Sequence, residues 1–296
     1  MSESSRGDAR PRAAHPTSHH EAAGATSPHL DEEEKGQAAA HTSPHALVLH
    51  EIIREEGEVA LSRTVGALMW SSLAAGLSMG FSFLMEAVLD AGMNASPSRH
   101  LISSFGYTVG FVLVILGRQQ LFTESTLTVV LPVLTRRDVP TLLKALRLWV
   151  IVLICNLLGT WAYAALLLTP NALPQSVVAA LSDIARHTTS QHNFLPTMVG
   201  AMFAGWLIAL MVWLLPSARS GRLLTVVLIT YVVSAARLDH IVAGSTEAAY
   251  TVLVGESSFQ RYLTEFIAPV LVGNSIGGIA LVALLNHAAI APEIGK

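Results

Sequence analysis

The chain has 296 residues, 52% hydrophobic and only 13% charged, with a mean hydropathy of +0.51. These values lie outside the range of soluble globular domains, exclude a soluble enzyme and place the chain in a lipid bilayer. A net charge of -3 carries no nucleic-acid signal, and the single Cys155, inside an apolar run, excludes an intrachain disulfide and a Cys-based metal site.

Residues 1 to 44 mix Ser, Ala, Pro, His and Glu without apolar periodicity, which predicts a disordered polar tail. His15, His19, His20, His29, His41, His45 and His50 are irregularly spaced and lack a cysteine, so no metal is expected. A cleavable signal peptide is not expected either, because the start is polar and the first long apolar run begins near Val65. Over 45–64 the spacing of Leu49, Ile52, Ile53 and Val59 predicts an amphipathic helix lying against the membrane or a neighbouring subunit. A transmembrane domain is expected over 65–288, with a short tail at 289–296.

Candidate spans are 65–89, 101–134, 146–168, 194–215, 223–254 and 266–286, since a bilayer needs about 20 mainly apolar residues. The loops after the second and fourth spans carry Arg136, Arg137, Lys144, Arg147, Arg219 and Arg222, whereas the other three hold only Arg99, Arg186 and Arg261. That bias predicts cytoplasmic termini. Trp70, Trp149, Trp161 and Trp213 read as interfacial anchors.

The second and fifth spans are too long and are interrupted at corresponding places, at 117–126 and 236–247. The repeat continues downstream, where Asn156-Leu157-Leu158-Gly159 is matched by Asn274-Ser275-Ile276-Gly277. The step from Thr123 to Asn156 is 33 residues and that from His240 to Asn274 is 34. Three spans per half make the second half inverted, and broken helices at matching places mark a substrate path near the midplane. The predicted fold is therefore an all-α membrane protein of six helices in two inverted three-helix repeats.

The runs Gln120-Leu121-Phe122-Thr123-Glu124-Ser125-Thr126, Asp239-His240-Ile241-Val242-Ala243-Gly244, Gly205-Trp206-Leu207 with Met211-Val212-Trp213, and Gly273-Asn274-Ser275-Ile276-Gly277-Gly278 resemble the formate/nitrite transporter family. The resemblance covers about 45–288 and is nearest to an uncharacterised inner-membrane branch with a polar N-terminal tail. It implies an aquaporin-like protomer in a homopentamer of the cytoplasmic membrane, each protomer with its own pore for a small monovalent anion such as formate or nitrite. It also implies no cofactor. By motif, Phe122 would sit at a constriction, Thr123 would face the pore and His240 would be the central pore histidine, with Asp239 as the acid before it. The chain departs from the family at Gln120, where formate channels have an acid, and at Gly205 and Gly244, where they have asparagines. Glu124 adds a carboxylate beside the constriction.

Each of these residues also has a structural reading. His240 is either a packing histidine or, as an ionisable group in a broken span, a functional one, and the second is favoured. Glu124, Asp239, Glu247, Arg118 and Arg237 either contact the permeant or form ion pairs that hold the breaks, with Arg118 or Arg237 neutralising Glu124. Asn156 and Asn274 are expected to tie helices together, since Asn-x-x-Gly lets backbones approach. The leading function is passage of a small monovalent anion, with His240 suited to lend a proton because its ordinary pKa of about 6.5 lies near cellular pH. A pentameric scaffold without transport is the alternative. An intramembrane enzyme is disfavoured, because the spans hold no His-Glu-x-x-His or Gly-x-Ser-x-Gly signature.

Overall fold

Two side chains fix where long helices begin. Thr64 accepts from the Ala67 amide at 3.3 Å and Asp138 from the Thr141 amide at 2.7 Å, each satisfying a donor that a helix start leaves unpaired. The computed structural model describes residues 28–41, 45–189 and 193–294, and all regular structure among them is helical. Contacts divide the chain into two units, Met1–Pro44 and His45–Lys296. In the first, α1 (Glu32–His41) opens on a capping box in which Asp31 and Glu34 each accept the other's amide, at 2.8 and 3.0 Å. The rest of the expected polar tail, including His15, His19 and His20, lies outside the described residues.

The second unit begins with α2 (Ala46–Ser62) and α3 (Val65–Ala91). Its second segment is α4 (Arg99–Leu116), a break, α5 (Phe122–Thr128) and α6 (Val130–Arg136). α7 (Val139–Leu167), α8 (Gln175–Thr189) and α9 (Phe194–Leu214) follow. The fifth segment is α10 (Arg222–Ala235), a break and α11 (Ala243–Leu253). The sixth is continuous, with α12 (Phe259–Arg261), α13 (Ala268–Ser275) and α14 (Leu285–Ile294) joined by π-helical turns at Tyr262–Ile267 and Ile276–Leu284.

Five of these segments, α3, α4, α7, α9 and Phe259–Ala291, are long and apolar enough to cross a bilayer. The fifth segment in chain order is not among them, because its break leaves α10 and α11 each too short. Both breaks are shorter than the sequence suggests: Phe122–Thr126 and Ala243–Glu247 are already helical. Lys144 and Arg147 lie on α7, one turn and more past its cap, and not in a loop. The stretch before α9 hides a helix, α8, which buries Val177, Ala180, Leu181 and Ala185 at helical spacing. Of the tryptophans, Trp70 is exposed on the apolar exterior, but Trp149 donates to the Ser125 carbonyl at 3.2 Å and Trp161 packs edge-on to Phe259 and Tyr262.

The repeat is written in backbone contacts. In the first half α3 packs on α7, where a Cβ on Gly76 would meet the Asn156 carbonyl oxygen at 2.1 Å and one on Gly159 the Leu73 oxygen at 2.6 Å. In the second, α9 packs on α13 and on the Ile276–Leu284 turn that continues it, where a Cβ on Gly205 would meet the Asn274 oxygen at 2.3 Å and one on Gly277 the Met202 oxygen at 2.1 Å. Small residues let the helices come this close, and close packing is what holds helices together in lipid. α2 packs within its own chain, against α5, α6, α7 and α14, burying Leu49, His50, Ile53 and Leu61. Its Glu56 pairs with Arg118 at 3.1 Å and its Glu58 with Arg136 at 2.6 Å, one at each end of the α5–α6 segment.

Candidate functional site

Both broken helices end in the same way. Arg118 and Arg237 take left-handed backbone angles, with φ of 53° and 52°, and the amides of Gln119 and Leu238 reach back to the Val114 and Val233 carbonyls at 3.0 and 2.9 Å. This closes each helix C-terminus before the chain turns across the bundle. The exposed amides and carbonyls of the turn then need partners, because lipid supplies none.

Asn156 and Asn274 supply them. Asn156 accepts from the Phe122 amide at 2.9 Å and donates to the carbonyls of Gln120 and Ser72 at 3.0 and 2.8 Å. Asn274 accepts from the Ile241 amide at 2.9 Å and donates to the carbonyls of Asp239 and Ala201 at 3.0 and 2.7 Å. These ties set the register of the repeat: Phe122 corresponds to Ile241, and His240 therefore to Leu121. The alignment of Thr123 with His240 that the sequence spacing suggests is displaced by two residues.

Although not equivalent by the repeat, Thr123 and His240 meet. The Thr123 hydroxyl oxygen lies 2.8 Å from His240 Nε2, and both side chains are fully buried. His240 Nδ1 accepts from the amides of Val242 and Ala243 at 3.3 and 3.2 Å, where α11 begins. With Nδ1 an acceptor twice over, the proton of the ring sits on Nε2 and points at Thr123. The Thr123 hydroxyl proton then has no acceptor among the described residues. Phe111 lies edge-on to the imidazole at 5.0 Å, and Phe111, Leu121, Phe122, Ile241 and Val242 belong to one buried apolar cluster. The meeting point is thus an apolar pinch with two polar hydrogens in it.

A cavity of about 850 Å³ opens from His240 toward the side of the α3–α4 and α7–α9 connections. Asp239, Gly244, Glu247 and Arg237 line it, as the sequence grouped them, together with Glu86, Asp90, Arg99, His100 and α8, which it did not. Glu86 was legible as the one acid in the first span. The α8 contribution follows from a helix that the loop assignment hid. Arg99 pairs with Asp90, and Arg186 with Asp183 and Glu256. The bond from Arg186 also holds the Glu256 carboxyl below its ordinary pKa. Glu247, grouped with the residues expected to form ion pairs at the breaks, accepts instead from the Thr188 hydroxyl and makes no ion pair among the described residues.

On the opposite side of the pinch, Glu124 is half-buried in the first turn of α5. Arg118, expected to neutralise it, is engaged with Glu56 of α2, and no ion pair to Glu124 exists among the described residues. The Gln120 amide donates to the Ser71 hydroxyl at 3.1 Å. Gly205 lies in the α9–α13 contact, where no side chain fits, and away from the cavity wall. Gly244 is on that wall, against Phe266.

Residues 48–288 match the sequence model described as formate/nitrite transporter. Among curated relatives, inner membrane protein YfdC of Escherichia coli (strain K12) is 36% identical over 255 residues, covering 85% of this chain and 81% of the relative. Formate channel FocB of the same organism is 23% identical over 258 residues, 78% of this chain and 89% of the relative. Of solved structures, a pentameric formate channel with formate bound superposes with a TM-score of 0.66 at 18% identity, covering 77% of this chain and 98% of that one. An FNT family ion channel gives 0.64 at 20% identity, covering 82% and 96%. The superpositions place the fold among the aquaporin-like six-helix channels, and the match over the whole transmembrane region makes this chain a member of the formate/nitrite transporter family.

Proposed function

We infer that the chain carries a small monovalent anion of a weak acid, formate or nitrite in the first instance, past Thr123 and His240, with no cofactor. The observation that supports this best is the Thr123–His240 hydrogen bond at the closed end of the cavity. An oxygen of the permeant that enters between the two groups accepts from His240 Nε2–H and from the Thr123 hydroxyl, replacing water where the surrounding apolar cluster supplies no other donor. In this reading His240 is a neutral hydrogen-bond donor, because a second proton on Nδ1 would face the Val242 and Ala243 amides. The kinship with a formate channel and the solved formate complex support the choice of permeant. Uptake of labelled formate and nitrite into proteoliposomes is the test. Thr123→Val keeps the shape and removes one donor, so flux is expected to drop by about ten-fold, the worth of one hydrogen bond of about 1.4 kcal/mol to the permeant. A parent protein with no flux for either anion would leave a scaffold or enzyme role instead.

We further place the termini in the cytoplasm, the cavity on the outer side of the inner membrane, and the chain in a homopentamer. The large apolar exterior, including Leu143, Leu158 and Leu224, and the pentameric solved relative support this. Native mass spectrometry in mild detergent should give a five-chain species, and a reporter after Lys296 should be cytoplasmic. A stable monomer or an external C-terminus would overturn that arrangement.

A further inference from the structure

We propose that Glu86 and Glu247 form a proton-loading pair in the vestibule, which hands a proton to the arriving weak-acid anion so that the neutral acid crosses the pinch; this rests on the transport reading above. Three observations lead there. First, His240 is a poor source: Nδ1 accepts two backbone amides and the Nε2 proton is directed to Thr123, so lending a proton would require the ring to break these bonds. Second, the vestibule that ends on His240 holds carboxyl groups that no arginine or lysine pairs with among the described residues. Asp90 and Asp183 are neutralised by Arg99 and Arg186, whereas Glu86, Asp239 and Glu247 are not. Third, Glu86 and Glu247 are 5% and 6% exposed in the cavity wall, and each is aimed by a hydroxyl. Ser234 donates to Glu86 at 3.4 Å, and Thr188 donates to Glu247.

Their placement suits a relay. Glu247 follows His240 by seven residues on the same wall, with Gly244 between them leaving the path open, and two helical turns correspond to about 10 Å. Glu86 comes from α3, which packs on α11, and lines the same cavity as Glu247. The other titratable groups facing the pair are Asp90 of α3 and its partner Arg99, His100 of α4, 4.0 Å from Glu86, Tyr107 of α4, Asp183, Arg186 and His187 of α8, and Arg237 and Asp239 of the second break. α7 and the Tyr262–Ile267 turn, which also pack on α11, contribute none of the lining residues. In the loading step the Glu247 O–H bond breaks and an O–H bond forms on the permeant carboxylate. The acid moves on, Glu247, left as carboxylate, takes the proton of Glu86, and Glu86 is reprotonated by a hydronium ion of the vestibule, which leaves as water.

The experiment uses the full chain in proteoliposomes, with labelled formate outside and a pH dye inside. In the parent, uptake should rise by up to about ten-fold for each unit that external pH falls, as for a step first order in protons. Glu247→Gln keeps the acceptor for Thr188 and removes the exchangeable proton, so formate uptake should become flat with external pH and the internal acidification should vanish. Glu86→Gln should weaken the same response, and Glu247→Asp, which keeps a carboxyl, should retain it. Should Glu247→Gln fail to elute as the parent does, Glu86→Gln and Glu247→Asp decide. Full acid stimulation in the glutamine variants overturns the proton-loading pair while leaving transport intact. No formate uptake by the parent at any pH overturns the transport reading itself.

Discussion

Substituting His240 by Asn is expected to lower formate flux by about ten- to a hundred-fold while leaving the protein folded. Asn is a good residue at a helix start, so its carbonyl can take over the Val242 and Ala243 amides that His240 Nδ1 now accepts. Its amide is too short to reach Thr123, which the imidazole meets at 2.8 Å through Nε2. What is lost is one donor to an oxygen of the permeant inside the apolar pinch, where an unsatisfied polar group costs about 1–3 kcal/mol, and each 1.4 kcal/mol is a factor of ten. The residual flux should keep its acid stimulation, because the proton comes from the vestibule. Rapid-mixing uptake into proteoliposomes measures both quantities. Loss of the pH dependence with His240→Asn would make the histidine the proton carrier, and unchanged flux would make it a packing residue.

Replacing Asn156 or Asn274 by Ala should destabilise the chain by about 3 kcal/mol or more, and by similar amounts in the two halves. Each amide side chain makes three hydrogen bonds to the backbone of a break and of the facing helix. Alanine strips one amide and two carbonyls of that partner where neither water nor lipid can substitute, at about 1–3 kcal/mol for each group left unsatisfied. The readout is thermal unfolding of the detergent-solubilised protein, followed by monodispersity on gel filtration. Two alanine variants that melt with the parent would mean that the breaks are held by something other than these ties.

Much of this architecture was readable in the chain. Six apolar segments are visible because a bilayer demands a run of about 20 apolar residues and tolerates few charges within it. The breaks are visible because Arg118, Glu124, Asp239, His240 and Glu247 stand where apolar residues should be, and the duplication because Asn156 and Asn274 recur with their glycines. Element boundaries were less readable: α8 is too short and too polar to register as a span, yet its period of Val177, Ala180, Leu181 and Ala185 was there to be counted.

What the sequence by itself determined, then, is the membrane class, the count of segments and the residues that a lipid environment must either satisfy or use. Only the tertiary structure decided which of these residues meet. Spacing matches Thr123 with His240 as repeat partners, but the Phe122–Asn156 and Ile241–Asn274 bonds put them out of register and face to face. Arg118 was free on paper to neutralise Glu124, but Glu56 of α2, 62 residues earlier in the chain, engages it at 3.1 Å. Glu86 joined the site only when α3, α8 and α11 closed around one cavity. The physical reason is the same in each case: hydrophobic period and length act along the chain, whereas a hydrogen bond or an ion pair forms between groups that only packing brings within 4 Å.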